Sequence, residues 1–281
     1  MSKLRLNEQV QNYKAFPEEG TDAIVNQMPR LIAEDRMPLS MAGFMKARLN
    51  FRNASEAVRN AWLGNYFFTG DGAVDNHDGR AKIDLDSESL RNLTPQIELY
   101  CGLLPLQPGE YDTLHMPELS KREAKQFMNG EWLKPKQVLD NKAWRIFARD
   151  PDEVPEEYAE DKGLLSEYMG LVFSQGYDKA MAIFKASPQD VPTRRSWYVY
   201  WLVDGYGSYA GDGGRLDGND GLGRLVGVAP KAQDVEQKLE LSDKVIAGFS
   251  PEQVGRLLRE EVGYTDSKTE ELLKKLGSYK V

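Results

Sequence analysis

The chain has 281 residues, a formal net charge of −8, 41% hydrophobic and 28% charged residues, a composition that excludes intrinsic disorder and suits one large or two small globular domains. A single cysteine, Cys101, excludes an intrachain disulfide, and with only two histidines, His77 and His115, a cysteine–histidine zinc site is starved of ligands. No stretch approaches the ~18 apolar residues of a membrane span, Met1 to Glu8 lack the apolar run of a secretory signal, and the expected compartment is the cytoplasm.

Basic and acidic residues balance up to position 150, at 20 against 21, and diverge beyond it, at 16 against 23. Such a chain repels a nucleic-acid backbone, and nucleic-acid binding is not expected. Cys101 lies in the run Tyr100-Cys101-Gly102-Leu103-Leu104, where a small buried hydrophobe is the expected role.

The first third reads as helical. Thr21-Asp22 can cap one helix, Ser40 precedes Met41, Phe44, Met45 and Leu49 at one-face spacing, and Ser55 opens a third segment through Val58, Ala61 and Trp62. Gly70-Asp71-Gly72 ends any helix there. From Val74 to Leu85, a turn at Asp78-Gly79 followed by alternating Ala81, Ile83 and Leu85 predicts a β-hairpin. Beyond Thr94-Pro95 the pattern fits a helix or a short strand equally. Ser120 to Asn129 and the segment after Pro135 predict surface helices. Asp150 to Asp161 holds seven acidic residues, two prolines and no basic residue, and marks a candidate boundary.

Leu164 to Phe173 and Tyr177 to Phe184 read as two further helices, and Pro188 and Pro192 force an extended stretch. Trp197 to Leu202 alternates as a central strand buried on both faces. Its aromatic string, Trp197, Tyr198, Tyr200, Trp201, Tyr206 and Tyr209, fits a core and also fits stacking on a sugar, base or peptide. Nine glycines between Gly205 and Gly227 predict loops and tight turns with little regular structure. Val235 to Ile246, the capping box Ser250-Pro251-Glu252-Gln253 and Ser267 to Leu276 predict a three-helix tail.

Two segments share an order of features: Phe68-Thr69-Gly70-Asp71-Gly72, Asp75, Asp78-Gly79-Arg80, and Tyr209-Ala210-Gly211-Asp212-Gly213, Asp217, Asp220-Gly221, Arg224. Three readings stand. The triplets are common turn chemistry; or 40–86 and 180–229 are an old duplication; or the two loops face one cleft. In that cleft Asp71, Asp78, Asp212 and Asp220 are candidate ligands for a divalent cation. Asp75 or Asp217 is then the candidate general base, with Arg80 or Arg224 countering negative charge and His77 the one nearby group titrating near neutrality.

The expected architecture is α+β: a predominantly helical body over 1–230 with two Gly/Asp-rich hairpin excursions, and a helical appendage over 231–281. The expected function is small-ligand or divalent-cation binding by the two loops, as in a hydrolase. The alternative is a non-catalytic structural or interaction protein, with self-association or a protein partner docking through 231–281.

Overall fold

The computed structural model describes residues 3–7, 12–160, 162–202, 207–218 and 223–229. The chain divides into two compact units, Met1–Val228 and Ala229–Val281. The three-helix tail, the partner surface over 231–281, Asp220 and Tyr206 lie outside the described residues.

Strand β1 (Tyr13–Phe16) leads to helix α1 (Ile24–Ala33), the two-residue strand β2 (Met37–Pro38), and helices α2 (Met41–Asn50) and α3 (Glu56–Leu63). Ser40 caps α2 as its sequence predicts, its hydroxyl accepting from Gly43 N–H at 3.1 Å. Strands β3 (Phe67–Asp75) and β4 (Ala81–Asp84) form the expected antiparallel hairpin, its turn closed from Asn76 N–H to Arg80 O at 2.9 Å with Gly79 at φ 92°. Then come α4 (Glu88–Arg91), β5 (Leu104–Pro105), α5 (Glu110–Thr113), β6 (Glu118–Leu119) and α6 (Lys121–Met128), which opens on a complete Ser120/Glu123 capping box. Helices α7 (Pro135–Leu139), α8 (Lys142–Phe147) and α9 (Leu164–Phe173) precede strands β7 (Ala182–Phe184), β8 (Thr193–Leu202), β9 (Gly207–Gly211) and β10 (Arg224–Val228).

The body is organised by a sheet, which overturns the helical expectation. Ten strands among the described residues join one mixed sheet in the order β1-β10-β3-β8-β9-β7, with β2 on β10, β5 on β8, and β4 between β3 and β6. The hairpin is therefore no excursion: β3 is central, buried at every position, and flanked by β10, β4 and β8. Two further readings fall with it. Tyr177 to Phe184 does not continue as a helix, because Ala182–Phe184 pairs in parallel with β9. The glycine-rich stretch from 205 to 227 does carry regular structure, since it supplies β9 and all but the last residue of β10. The physical reason is range: β10 pairs with β1, at Tyr13↔Val228, and with β3, at Leu225↔Phe68, partners that no local window contains.

Helices α2, α3, α8 and α9 bury one face of the sheet, in a core that holds Phe44, Trp62, Phe67, Trp144, Phe147, Tyr168 and Trp197. Helices α1 and α4 cover part of the other face with Ile24, Met28, Leu31 and Leu90 against Phe68 and Leu225. The acidic segment after Asp150 belongs to this body and does not divide it: Val154 is in the main core, and Arg145 bonds Asp150 and Glu153. Cys101 also departs from expectation, lying exposed at φ 51° in a tight turn between Tyr100 and Leu103. Segment 40–86 holds α2, α3, β3 and β4, whereas the described residues of 180–229 hold β7 to β10, so their shared sequence features do not sit in a shared element order. Among the described residues no helix is long and apolar enough to cross a membrane.

Candidate functional site

The acids singled out by sequence are distributed among separate partners. Asp71 sits inside β3, at a bulge between Phe68 and Gly72. One carboxylate oxygen accepts from Met41 N–H at 2.7 Å, at the start of α2, and the other accepts from Asp86 N–H at 2.9 Å with Arg149 Nη2 at 3.6 Å. Its complete burial outweighs these partners and pushes its carboxyl up to about 6. Asp78 pairs with Arg80 at 2.8 Å in the hairpin turn, and His77 at the same turn is exposed. Although burial raises the Asp78 carboxyl, the Arg80 N–H and guanidinium hold it below the usual range. Asp217 forms a two-pronged pair with Arg215, at 3.0 and 2.7 Å. Arg224 is buried and its Nε donates to Gly20 O at 2.7 Å.

Asp75 and Asp212 do come together, from the ends of β3 and β9, but around a cation of the chain itself. Lys185, just beyond β7, bonds Asp75 and lies 3.3 Å from Asp212 Oδ2, with all three residues buried. Asp212 also accepts from Ala186 N–H at 2.5 Å, while Arg195 Nε faces Asp75 Oδ2 at 3.2 Å and Arg195 Nη1 donates to the Asp212 carbonyl at 3.4 Å. Burial alone lowers the Lys185 ammonium, yet Asp212 and Asp75 together hold it above its ordinary value. Among the described residues no group of three or more His, Cys, Asp or Glu could hold a metal. The cluster ties three strand ends together as a structural lock.

A second gathering lies on the opposite face of β8. Alternation sends Trp197 and Val199 into the core and turns Tyr198 and Tyr200 the other way, which corrects the expectation of a strand buried on both faces, since these two are only half-buried. Tyr209 of β9 faces Tyr200 across the ladder, and Tyr66, just before β3, joins them. Ring centroids lie 4.6 Å apart for Tyr66 and Tyr198, 6.0 Å for Tyr198 and Tyr209, 5.4 Å for Tyr209 and Tyr200, and 6.0 Å for Tyr200 and Tyr66. The four form a closed circuit. Phe184 of β7, 5.0 Å from Tyr209, and Trp132, 5.8 Å from Phe184, extend the strip across the sheet. All six are half-buried.

Glycines make the circuit possible. A Cβ on Gly211 would stand 2.3 Å from Tyr198 Cζ, and one on Gly223 would stand 2.5 Å from Tyr66 Cε1, so each ring packs against backbone that only glycine leaves open. Burial holds the phenols of Tyr66, Tyr198 and Tyr209 above their ordinary range, with Tyr198 and Tyr209 adding to the effect on Tyr66. Among the described residues none of the four hydroxyls makes a hydrogen bond. Buried Tyr168, by contrast, spends its hydroxyl on Arg48 and Ser208, at 2.7 Å each. Sequence reasoning named Tyr198, Tyr200 and Tyr209 but not Tyr66, Trp132 or Phe184 as their companions, and it missed Lys185 and Arg195 as partners of the acids; the i, i+2 spacing of Tyr198 and Tyr200 was the one available signal.

No family model and no curated protein matches the chain. A solved structure described as "Accommodation of massive sequence variation in Nanoarchaeota by the C-type lectin fold" is similar to it, with a TM-score of 0.50 at 14% identity, over 80% of this chain and 100% of that one. At that identity the likeness is one of fold: the sheet-centred body of this chain resembles a C-type lectin fold.

Proposed function

We propose that the protein is a non-catalytic recognition module that binds a peptide segment of a partner on its tyrosine strip. One observation carries this reading: four half-buried tyrosines share a circuit and, among the described residues, leave every hydroxyl without a hydrogen bond. A residue chosen only to fill a core buries its hydroxyl at a cost unless that hydroxyl is bonded, and phenylalanine would serve as well. Tyrosine at a surface offers large contact area at low conformational cost with a polar tip, the combination that dominates protein-binding surfaces. The acids favoured for hydrolysis are engaged with Lys185, Arg149, Arg80 and Arg215, which supports recognition over carboxylate chemistry. The structural neighbour's fold is described as accommodating massive sequence variation, which suits a rigid sheet that carries a changeable surface.

The test is selection of a random peptide library displayed on phage against the full chain. Enriched clones are expected to lose capture by the Tyr200→Ala/Tyr209→Ala variant while its circular dichroism stays that of the parent. Clones that bind parent and variant equally, or no enrichment at all, overturn the reading.

A further inference from the structure

We infer that the tyrosine circuit is an arginine receptor: it takes the guanidinium of an arginine side chain presented by the bound peptide, an inference that rests on the recognition reading above. The chain shows what a basic group does when its own sequence supplies one. Tyr111 carries Arg80 Cζ at 5.2 Å and Lys82 Nζ at 4.5 Å from its ring centroid, and Tyr158 carries Arg149 Cζ at 5.6 Å. Among the described residues no such group lies over Tyr66, Tyr198, Tyr200 or Tyr209, although they form the densest gathering of tyrosine faces.

With neighbouring centroids at 4.6 to 6.0 Å, one cation above the circuit falls within the ~6 Å cation–π range of several rings at once. The hydroxyls narrow the choice of cation. Four hydroxyls that make no hydrogen bond among the described residues match a planar group that stacks on a ring and donates in its own plane, which is the guanidinium and not the compact ammonium.

The probes are the tripeptide acetyl-Gly-Arg-Gly-amide and its citrulline counterpart, which keeps the planar shape but is neutral. The readout is the ring resonances of carbon-13-labelled tyrosine in the full chain. The arginine peptide is expected to shift the resonances of the circuit saturably, with a dissociation constant at least about tenfold below that of the citrulline peptide, a difference of about 1.4 kcal/mol. The Tyr200→Ala/Tyr209→Ala variant should lose the response. Equal binding of the two peptides, or no response to either, overturns the inference. If library-selected peptides still require Tyr200 and Tyr209 in that event, the recognition reading stands without it.

Discussion

The two faces of strand β8 use polar chemistry in opposite ways. On the core face, Arg195 joins Asp75, Asp212 and Lys185 in a buried knot where carboxylates and cations are set against one another inside the fold. On the other face, Tyr198 and Tyr200 join Tyr66 and Tyr209 in a circuit whose hydroxyls bond nothing within the described protein. Groups consumed by the fold stabilise it, and groups left over by the fold are available for recognition. On the reading proposed above, the charged residues, which attract attention in the sequence, serve the fold, and the tyrosines serve recognition.

The largest expected effect lies in the knot. Lys185→Ala leaves the buried Asp75 carboxylate with Arg195 and that of Asp212 with the Ala186 N–H, and removing one member of a buried ionic network costs roughly 3 to 5 kcal/mol. Urea denaturation should show that loss as a lower midpoint with an unchanged slope. Because such a knot is worth little against a well-packed neutral replacement, Lys185→Met with Asp212→Asn, which keeps Asp75 paired with Arg195, should recover much of it. An Lys185→Ala midpoint within error of the parent would mean that the core face does not lock the strand ends.

A second measurement probes the other Gly-Asp-Gly segment. Asp71 has its folded carboxyl pushed up to about 6 from an ordinary 3.8, so the folded state holds the proton more tightly than the unfolded state. Its contribution to stability is thus complete below about pH 4 and lost as pH rises through about 6, with a slope of at most about 1.4 kcal/mol per pH unit. Asp71→Asn should lack this slope, so that the parent-minus-variant difference displays it, while stability is lower at every pH because one amide oxygen cannot accept from both Met41 and Asp86 N–H. Urea midpoints at pH 4, 5, 6 and 7 decide the sign.

Much of this was legible where a signal is local. Ser40 before α2, Ser120 with Glu123 before α6, Pro135 at the start of α7, the apolar run of α9 and the alternation after Asp78-Gly79 each depend on neighbours within a few residues, and each yields its element in the structure. The sheet was not legible, because β7 is three residues long and β10 is specified by β1 and β3 from the far end of the chain. Glycine was ambiguous for a physical reason: the absence of a Cβ serves a turn at Gly79 and a ring lying on backbone at Gly211, and sequence does not separate these uses. The site followed the same rule. Tyr198 and Tyr200 announce one face by their spacing, but Tyr66 and Tyr209 join that face only through strand pairing, as Lys185 joins Asp75 only through three strand ends.

The smallest expected effect is the most discriminating, because it contrasts Tyr168 with Tyr200 and Tyr209 by the removal of one oxygen each. Tyr168→Phe takes away bonds to buried Arg48 and Ser208, and leaving their donors without that partner should cost roughly 1 to 3 kcal/mol. Tyr200→Phe and Tyr209→Phe remove hydroxyls that bond nothing among the described residues, and their midpoints should stay within about 0.5 kcal/mol of the parent, as for surface changes generally. Their capture of library-selected peptides should nonetheless fall, since the ring is kept and the acceptor is lost. If instead Tyr200→Phe destabilises the chain as much as Tyr168→Phe does, its hydroxyl serves the fold after all and the distinction between the two faces of β8 fails at the residue on which it depends.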